Sequence, residues 1–230
     1  MNLLRQYVPD VLGATGHDEM YRRLRSSNEG VLALLTEVAA SPTLFDECRR
    51  ASYFHANGFY KLVAAVGEGF ALRLHLWTGG KGEMEGGNLH SHRWDIASQV
   101  LLGKMRVRLY GPASDGELWA GWSYRSDDGA DALEPCGGRR LRLVQLIDMG
   151  RGGGFSSPHD VIHHAEALSS EAMTLVVTSP RKSLSTQVFS QGEARAMDEG
   201  RTGLGGEAVA LVLARGITAL RHAIEGSTGD

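Results

Sequence analysis

The stretch GGNLHSHRWD, residues 86–95, decides how this chain reads. It sets His90 and His92 two positions apart, after a Gly-rich turn and ahead of the run IASQVLLGKMRVRLYG at 96–111. Side chains at i and i+2 share a face only on an extended strand. The pair is therefore either one half of a metal clamp at a strand end or two surface histidines. Gly103 follows His92 by eleven residues in a strand-turn-strand context, a combination narrower than two spaced histidines alone. Roughly 60 residues downstream, GGGFSSPHDVIHHAEAL at 152–168 is a second histidine cluster, again between a Gly-rich turn and a strand-like run, AMTLVVTSP at 172–180. Alternation along that segment puts His159, Val161 and His163 on one face and His164 on the other. His163 is thus the expected third ligand, with His164 the choice if the register slips by one.

Working outward, the chain changes character twice. From His17 to about His55 the apolar positions Val31, Leu34, Leu35 and Val38 follow a helical period, and Ser41 and Pro42 read as the cap and first residue of a further helix. Two or three short helices are expected there. From Phe59 to Phe189 the pattern becomes short alternating runs broken by glycine-rich turns, which implies a sandwich or barrel. After Gln191 comes a Gly-rich link, then a helical stripe of Val209, Val212, Leu213, Ile217, Leu220 and Ile224, interrupted by Gly216. The expected organisation is a helical extension at 1–58, a barrel at 59–190, and a link with one terminal helix at 191–230, all in one domain of 230 residues. The terminal helix is expected to pack on the barrel or on a partner subunit.

Composition narrows the partners. A formal charge of −3 with no dense basic run gives no electrostatic footprint for nucleic acid or anionic lipid. No apolar run reaches the roughly 18 residues of a membrane span, and the first residues do not read as a secretory leader. Small-molecule partners and a cytoplasmic location are the expectations. The two cysteines, Cys48 and Cys136, are too few and too scattered for a disulfide framework or a thiolate zinc site. GRGGGF at 150–155 lacks the Lys-Ser/Thr ending of a phosphate loop and opens no helix.

If a barrel joins the two clusters, three neutral imidazoles with open positions suit iron(II), zinc, copper, nickel or manganese. The pair of segments resembles the two motifs of the cupin superfamily, with His90, His92, Gly103, Pro158 and His163 at the motif positions. The resemblance covers about Phe59 to Phe189. It implies a mainly β fold, the cupin double-stranded β-helix or jelly-roll barrel, here with N-terminal helices and a C-terminal helix. Within the superfamily the chain is most similar to the cysteine dioxygenase type, through FYKLVAAVGEGFALRLHLWTGGKGEMEGGNLHSH at 59–92 and IHHAEAL at 162–168. That implies one divalent metal per chain, iron(II) first and zinc, nickel or manganese as alternatives. It also implies an oxygenase using O2 on a small polar, amino-acid-like or thiol metabolite. The departures are specific. Ile96 stands where many cupins carry a ligating Glu, and the dioxygenases' cross-link Cys, its partner Tyr and their carboxylate-binding Arg fall on 96–97, near Thr178, and near Tyr60 and Lys61. A redox-neutral metal-dependent isomerase, lyase or hydrolase is the alternative function, and a non-catalytic ligand-binding barrel the third.

Around the metal, His159 is the candidate acid/base group at the pocket mouth. Lys61 and Arg73 are candidate cations for a substrate carboxylate. Asp95 and Glu166 are candidates to receive the ligands' outer N–H groups. His75 and Trp94 are candidate pocket walls; for His75 a core reading has equal standing, and for Trp94 packing in the core is the rule for a large aromatic. Because cupins commonly pair and the terminal stripe looks too wide for a lone barrel to cover, a homodimer is expected.

Overall fold

A computed structural model describes residues 2–55, 57–79, 88–127, 130–191 and 202–227. Five helices come first: α1 (Leu3–Tyr7), α2 (Pro9–Leu12), α3 (His17–Ser26), α4 (Asn28–Ala40) and α5 (Pro42–Ala51). Three of them, α3 to α5, fall in the His17–His55 span where two or three were expected; α1 and α2 precede that span and are too short to show a helical period. Ser41 caps α5 as its residue type allows, its hydroxyl accepting from Leu44 N–H at 3.4 Å, with Pro42 in the first turn. Twelve strands follow: β1 (Tyr53–His55), β2 (Phe59–Gly67), β3 (Phe70–Trp77), β4 (Leu89–His90), β5 (Ile96–Leu102), β6 (Lys104–Asp127), β7 (Ala130–Gly150), β8 (Gly154–Ser157), β9 (Ile162–Ala167), β10 (Ala172–Thr178), β11 (Thr186–Ser190) and β12 (Thr202–Gly203). A last helix, α6 (Gly206–Ser227), closes the chain. Most of the Gly-rich turn before the histidine pair and most of the link after Gln191 lie outside the described residues.

The strands form two antiparallel sheets. One runs β12-β1-β2-β3-β10-β5-β8 and the other β11-β4-β9-β6-β7. Together they make the mainly β, jelly-roll barrel expected, with helices at both ends. Alternation assigns the faces. On β3, Leu72, Leu74 and Leu76 point out of the barrel into a core shared with the helices, while Arg73, His75 and Trp77 line the interior. All seven residues of β10 are buried, as expected of a strand covered on both sides.

The helical layer settles where the terminal stripe goes. Val209, Val212, Leu213 and Leu220 of α6 are buried in the same core as Leu34 and Leu35 of α4 and the outward leucines of β3. Gly216 does not weaken this helix so much as admit it. A Cβ there would come within 2.6 Å of Leu74 Cδ1, so the glycine lets α6 lie close against β3. Those four positions of the stripe are covered by the chain itself, with Ile217 partly buried against the same core, so of the two expected packing sites it is the chain's own that takes them. The homodimer loses that argument.

Gly103 turns β5 into β6 at φ +72°, and a Cβ there would meet Glu171 O at 2.2 Å. Both the left-handed backbone and the close approach exclude other residues. β6 then bends: residues 105–110 pair with β9, and 120–124 pair with β11. The outer half of the β6–β7 hairpin closes over Leu89, Ile162 and Phe189, where Leu141 is buried and Trp119 packs.

Candidate metal centre

The ends of two strands and the turn between β4 and β5 build the site. His90 ends β4 and pairs in register with His163 of β9. His92 lies beyond the strand, so the i, i+2 argument holds only in part. Its face is fixed instead by backbone contacts: Ser91 N–H donates to Gln187 O at 2.9 Å and His92 N–H to His159 O at 2.7 Å. Those bonds extend the strand geometry by two residues and tie the two histidine segments together.

The ligand atoms of His90, His92 and His163 all lie within 4.8 Å of one another. His90 Nδ1 is 3.2 Å from Asn88 O, and His163 Nδ1 is 3.2 Å from Val161 O. A carbonyl only accepts, so in each ring Nδ1 carries the proton and Nε2 keeps its lone pair for the interior. His92 Nε2 and His163 Nε2 are 3.3 Å apart. Imidazole nitrogens bound to one metal at about 2.1 Å are separated by about 3.0 Å at a right angle and about 3.4 Å at the tetrahedral angle. The donor set, its tautomers and its spacing therefore fit a divalent transition metal.

Electrostatics agree. Burial, with His163 nearby, pulls the His90 pKa down to about 3, and burial pulls that of His163 down to about 4. Burial also holds His92 well below the usual histidine range, with His163, His90, Lys61 and Arg73 adding repulsion. All three are neutral imidazoles at physiological pH, the form that ligates.

For His90 and His163 the outer N–H partners are backbone carbonyls two residues upstream, not carboxylates. This corrects the expected roles of Asp95 and Glu166. Asp95 is buried, and its carboxylate accepts from His159 N–H at 3.0 Å and from Lys182 Nζ at 2.6 Å. It pins the 157–161 loop, whose Val161 carbonyl orients His163, to the turn that follows His92. Glu166 pairs with Arg108 at 2.8 Å on the outer side of the sheet. Carbonyl orientation leaves no trace in residue type, so sequence reasoning could not find it.

A cavity of about 100 Å³ opens in front of the three rings. Lys61, Arg73, His75, Trp94 and Ile96 line it, as do Met105, Val107, Met149 and Phe155. The structure thus brings Lys61 and Arg73 to the same cavity as the histidines. Ile96 forms part of the wall, and the metal-ligating group among the described residues is His90, His92 and His163. His159 is not among the lining residues. Its ring lies against Asp95, Nδ1 to Oδ1 3.6 Å, and its backbone, not its imidazole, serves the site. His164 points out of the barrel beside Arg108 and Glu166, with Nε2 buried and without a hydrogen-bond partner among the described residues. Cys48 is buried, its thiol pushed up to about 11 by desolvation, and Cys136 is exposed; both are free.

No family model matches the chain, and no curated protein does. Among solved structures, an RmlC-like cupin from Shewanella frigidimarina is 16% identical, over 55% of this chain and 80% of its own, with a TM-score of 0.33. A cupin superfamily protein from Desulfitobacterium hafniense is 13% identical, over 54% and 79%, with a TM-score of 0.32. A hydroquinone 1,2-dioxygenase in complex with cadmium and 4-hydroxybenzonitrile is 18% identical, over 51% and 61%, with a TM-score of 0.32. This chain spans 61% of that dioxygenase chain's length. At such scores these likenesses assign no residue role and no chemistry, and they do not bear on the finer resemblance to cysteine dioxygenases. No described helix is long and apolar enough to cross a membrane.

Proposed function

We propose that the protein is a mononuclear iron(II) oxygenase that acts on a small polar metabolite inside the barrel. The observation that carries this reading is the ligand set: three neutral imidazoles with no carboxylate ligand among the described residues, facing a cavity with a largely apolar floor. Iron(II), when bound by His90, His92 and His163, supplies the redox chemistry and open positions for substrate and O2. The protein's own part is orientation and exclusion. The carbonyls of Asn88 and Val161 fix the ring planes, and Asp95 holds the loop that presents His163. Met105, Val107, Met149 and Phe155 keep bulk water from the ligand face. Lys61 and Arg73 stand where they can orient an acidic substrate group.

Metal analysis of protein purified without added metal, together with oxygen uptake on a panel of thiols and amino acids, tests the proposal. The expected result is about one iron per chain with substrate-dependent uptake. Zinc, nickel or manganese without uptake would replace it with the redox-neutral reading.

A further inference from the structure

Arg73, His75, Trp77 and Trp94 all line the cavity, and each has a buried side-chain nitrogen without a hydrogen-bond partner among the described residues: Arg73 Nε, His75 Nε2, Trp77 Nε1 and Trp94 Nε1. The guanidinium and the two indoles can only donate. No described lining residue is an aspartate or glutamate. The Arg73 guanidinium lies 4.6 Å from the centre of the Trp94 ring, which covers one of its faces. Burial lowers its pKa to about 10; the Tyr53 side chain opposes that shift, and Arg93 adds to it. His75 is held between Phe59, 4.7 Å away by ring centres, and Trp77, 6.0 Å away. In native proteins buried donors are satisfied, and a buried cation is paired. Here several buried donors, one of them on a guanidinium, gather on one cavity whose described lining holds no carboxylate to accept from them. A ligand that brings its own acceptors completes the set.

We propose that the barrel binds an organic molecule with an oxyanion end, a carboxylate or phosphonate, held on Arg73 with the unpartnered indole N–H groups and His75 as further contacts. The remainder of the molecule extends towards the three histidines. Only that last feature rests on the metal-site reading; the anion site stands on the wall of β3 and on Trp94. Arg73 and His75 alternate on one strand, so a single ligand reaches both.

The test uses metal-free protein, with tryptophan fluorescence as the readout. Propionate and ethylphosphonate are titrated against propionamide, which has propionate's shape without its charge. At least one acid should bind about tenfold or more tightly than the amide, as hydrogen bonds to a charged group imply, and the tighter acid names the oxyanion. Arg73→Met should abolish that preference and Arg73→Lys should keep part of it. Arg73→Met should also melt no lower than the unaltered protein, because it removes a guanidinium whose Nε has no hydrogen-bond partner among the described residues and leaves an apolar side chain to pack on Trp94. Equal binding of acid and amide, binding of neither acid, or a preference that survives Arg73→Met would overturn the proposal. Because no metal is present in the titration, its outcome is separable from the iron and oxygen measurements: acid binding without iron would fail only the oxygenase, and iron with uptake but no acid preference would fail only this site.

Discussion

On one side of β3, Leu72, Leu74 and Leu76 are fully buried against α4 and α6; on the other, Arg73, His75 and Trp77 face a cavity with polar nitrogens unpaired. Residues one position apart thus have opposite work. The outer face is packed and self-satisfied, so it supplies stability. The inner face leaves buried donors without hydrogen-bond partners among the described residues, which costs stability and is the basis of the proposed anion site. The same division runs through β10, where Met173, Leu175 and Val177 join the helical core while Thr174, Val176 and Thr178 line the barrel. One sheet carries both the scaffold and half of the pocket wall.

The largest expected effect falls on the outer face. Leu74→Ala would leave a cavity beneath Gly216, where α6 approaches too closely for easy collapse, and should cost about 2–5 kcal/mol. Urea unfolding should show the midpoint falling with little change in slope. If Leu74→Ala and Arg73→Met lower stability by the same amount, the contrast between the two faces is wrong.

Acid should act on the inner face first. In the unfolded chain the three histidines titrate near about 6.5, whereas in the fold His90 and His163 are held at about 3 and about 4. Between those limits the unfolded state binds more protons than the folded state, so lowering the pH favours unfolding. Stability of the metal-free protein should therefore be flat above pH 7 and decline from about 6.5 towards about 4. Urea midpoints at pH 7.5 and pH 5 measure it. His163→Ala should shrink the difference between the two, because one of the depressed groups is gone.

Much of this was legible beforehand, and the reasons are local. The pairing of His90 and His92 with Gly103 and His163 could be read because metal ligation demands particular residue types and a strand's period of two fixes their faces. The stripe on α6 was readable from its helical period. What covers that stripe was not readable, since Gly216 looks like a helix breaker until the Leu74 side chain is seen beneath it. The service of His159 through its carbonyl was equally hidden, because backbone contacts are blind to residue type. Asp95 was singled out to receive a ligand's outer N–H, but it is the His159 amide that it accepts from.

The smallest expected effect is also the one that separates ligand from neighbour. His163 and His164 are adjacent, both buried, and both depressed in pKa by burial, so neither exposure nor charge distinguishes them. Strand alternation alone does. His163 faces Nε2 inward beside His92, whereas His164 stands across from Arg108 with Glu166 nearby. His163→Ala should therefore abolish stoichiometric metal binding, with elemental analysis of the purified variant as the measure. His164→Ala should leave the metal content at the unaltered level. Its effect on stability should stay within about 1–2 kcal/mol, because the packing lost is offset by removing a buried nitrogen that has no partner. The reverse pattern, with metal lost from His164→Ala and kept in His163→Ala, would mean that β9 pairs with β4 and β6 one residue out of the register seen here. Every inward assignment on that strand would then change with it, since a one-residue slip turns each side chain to the opposite face.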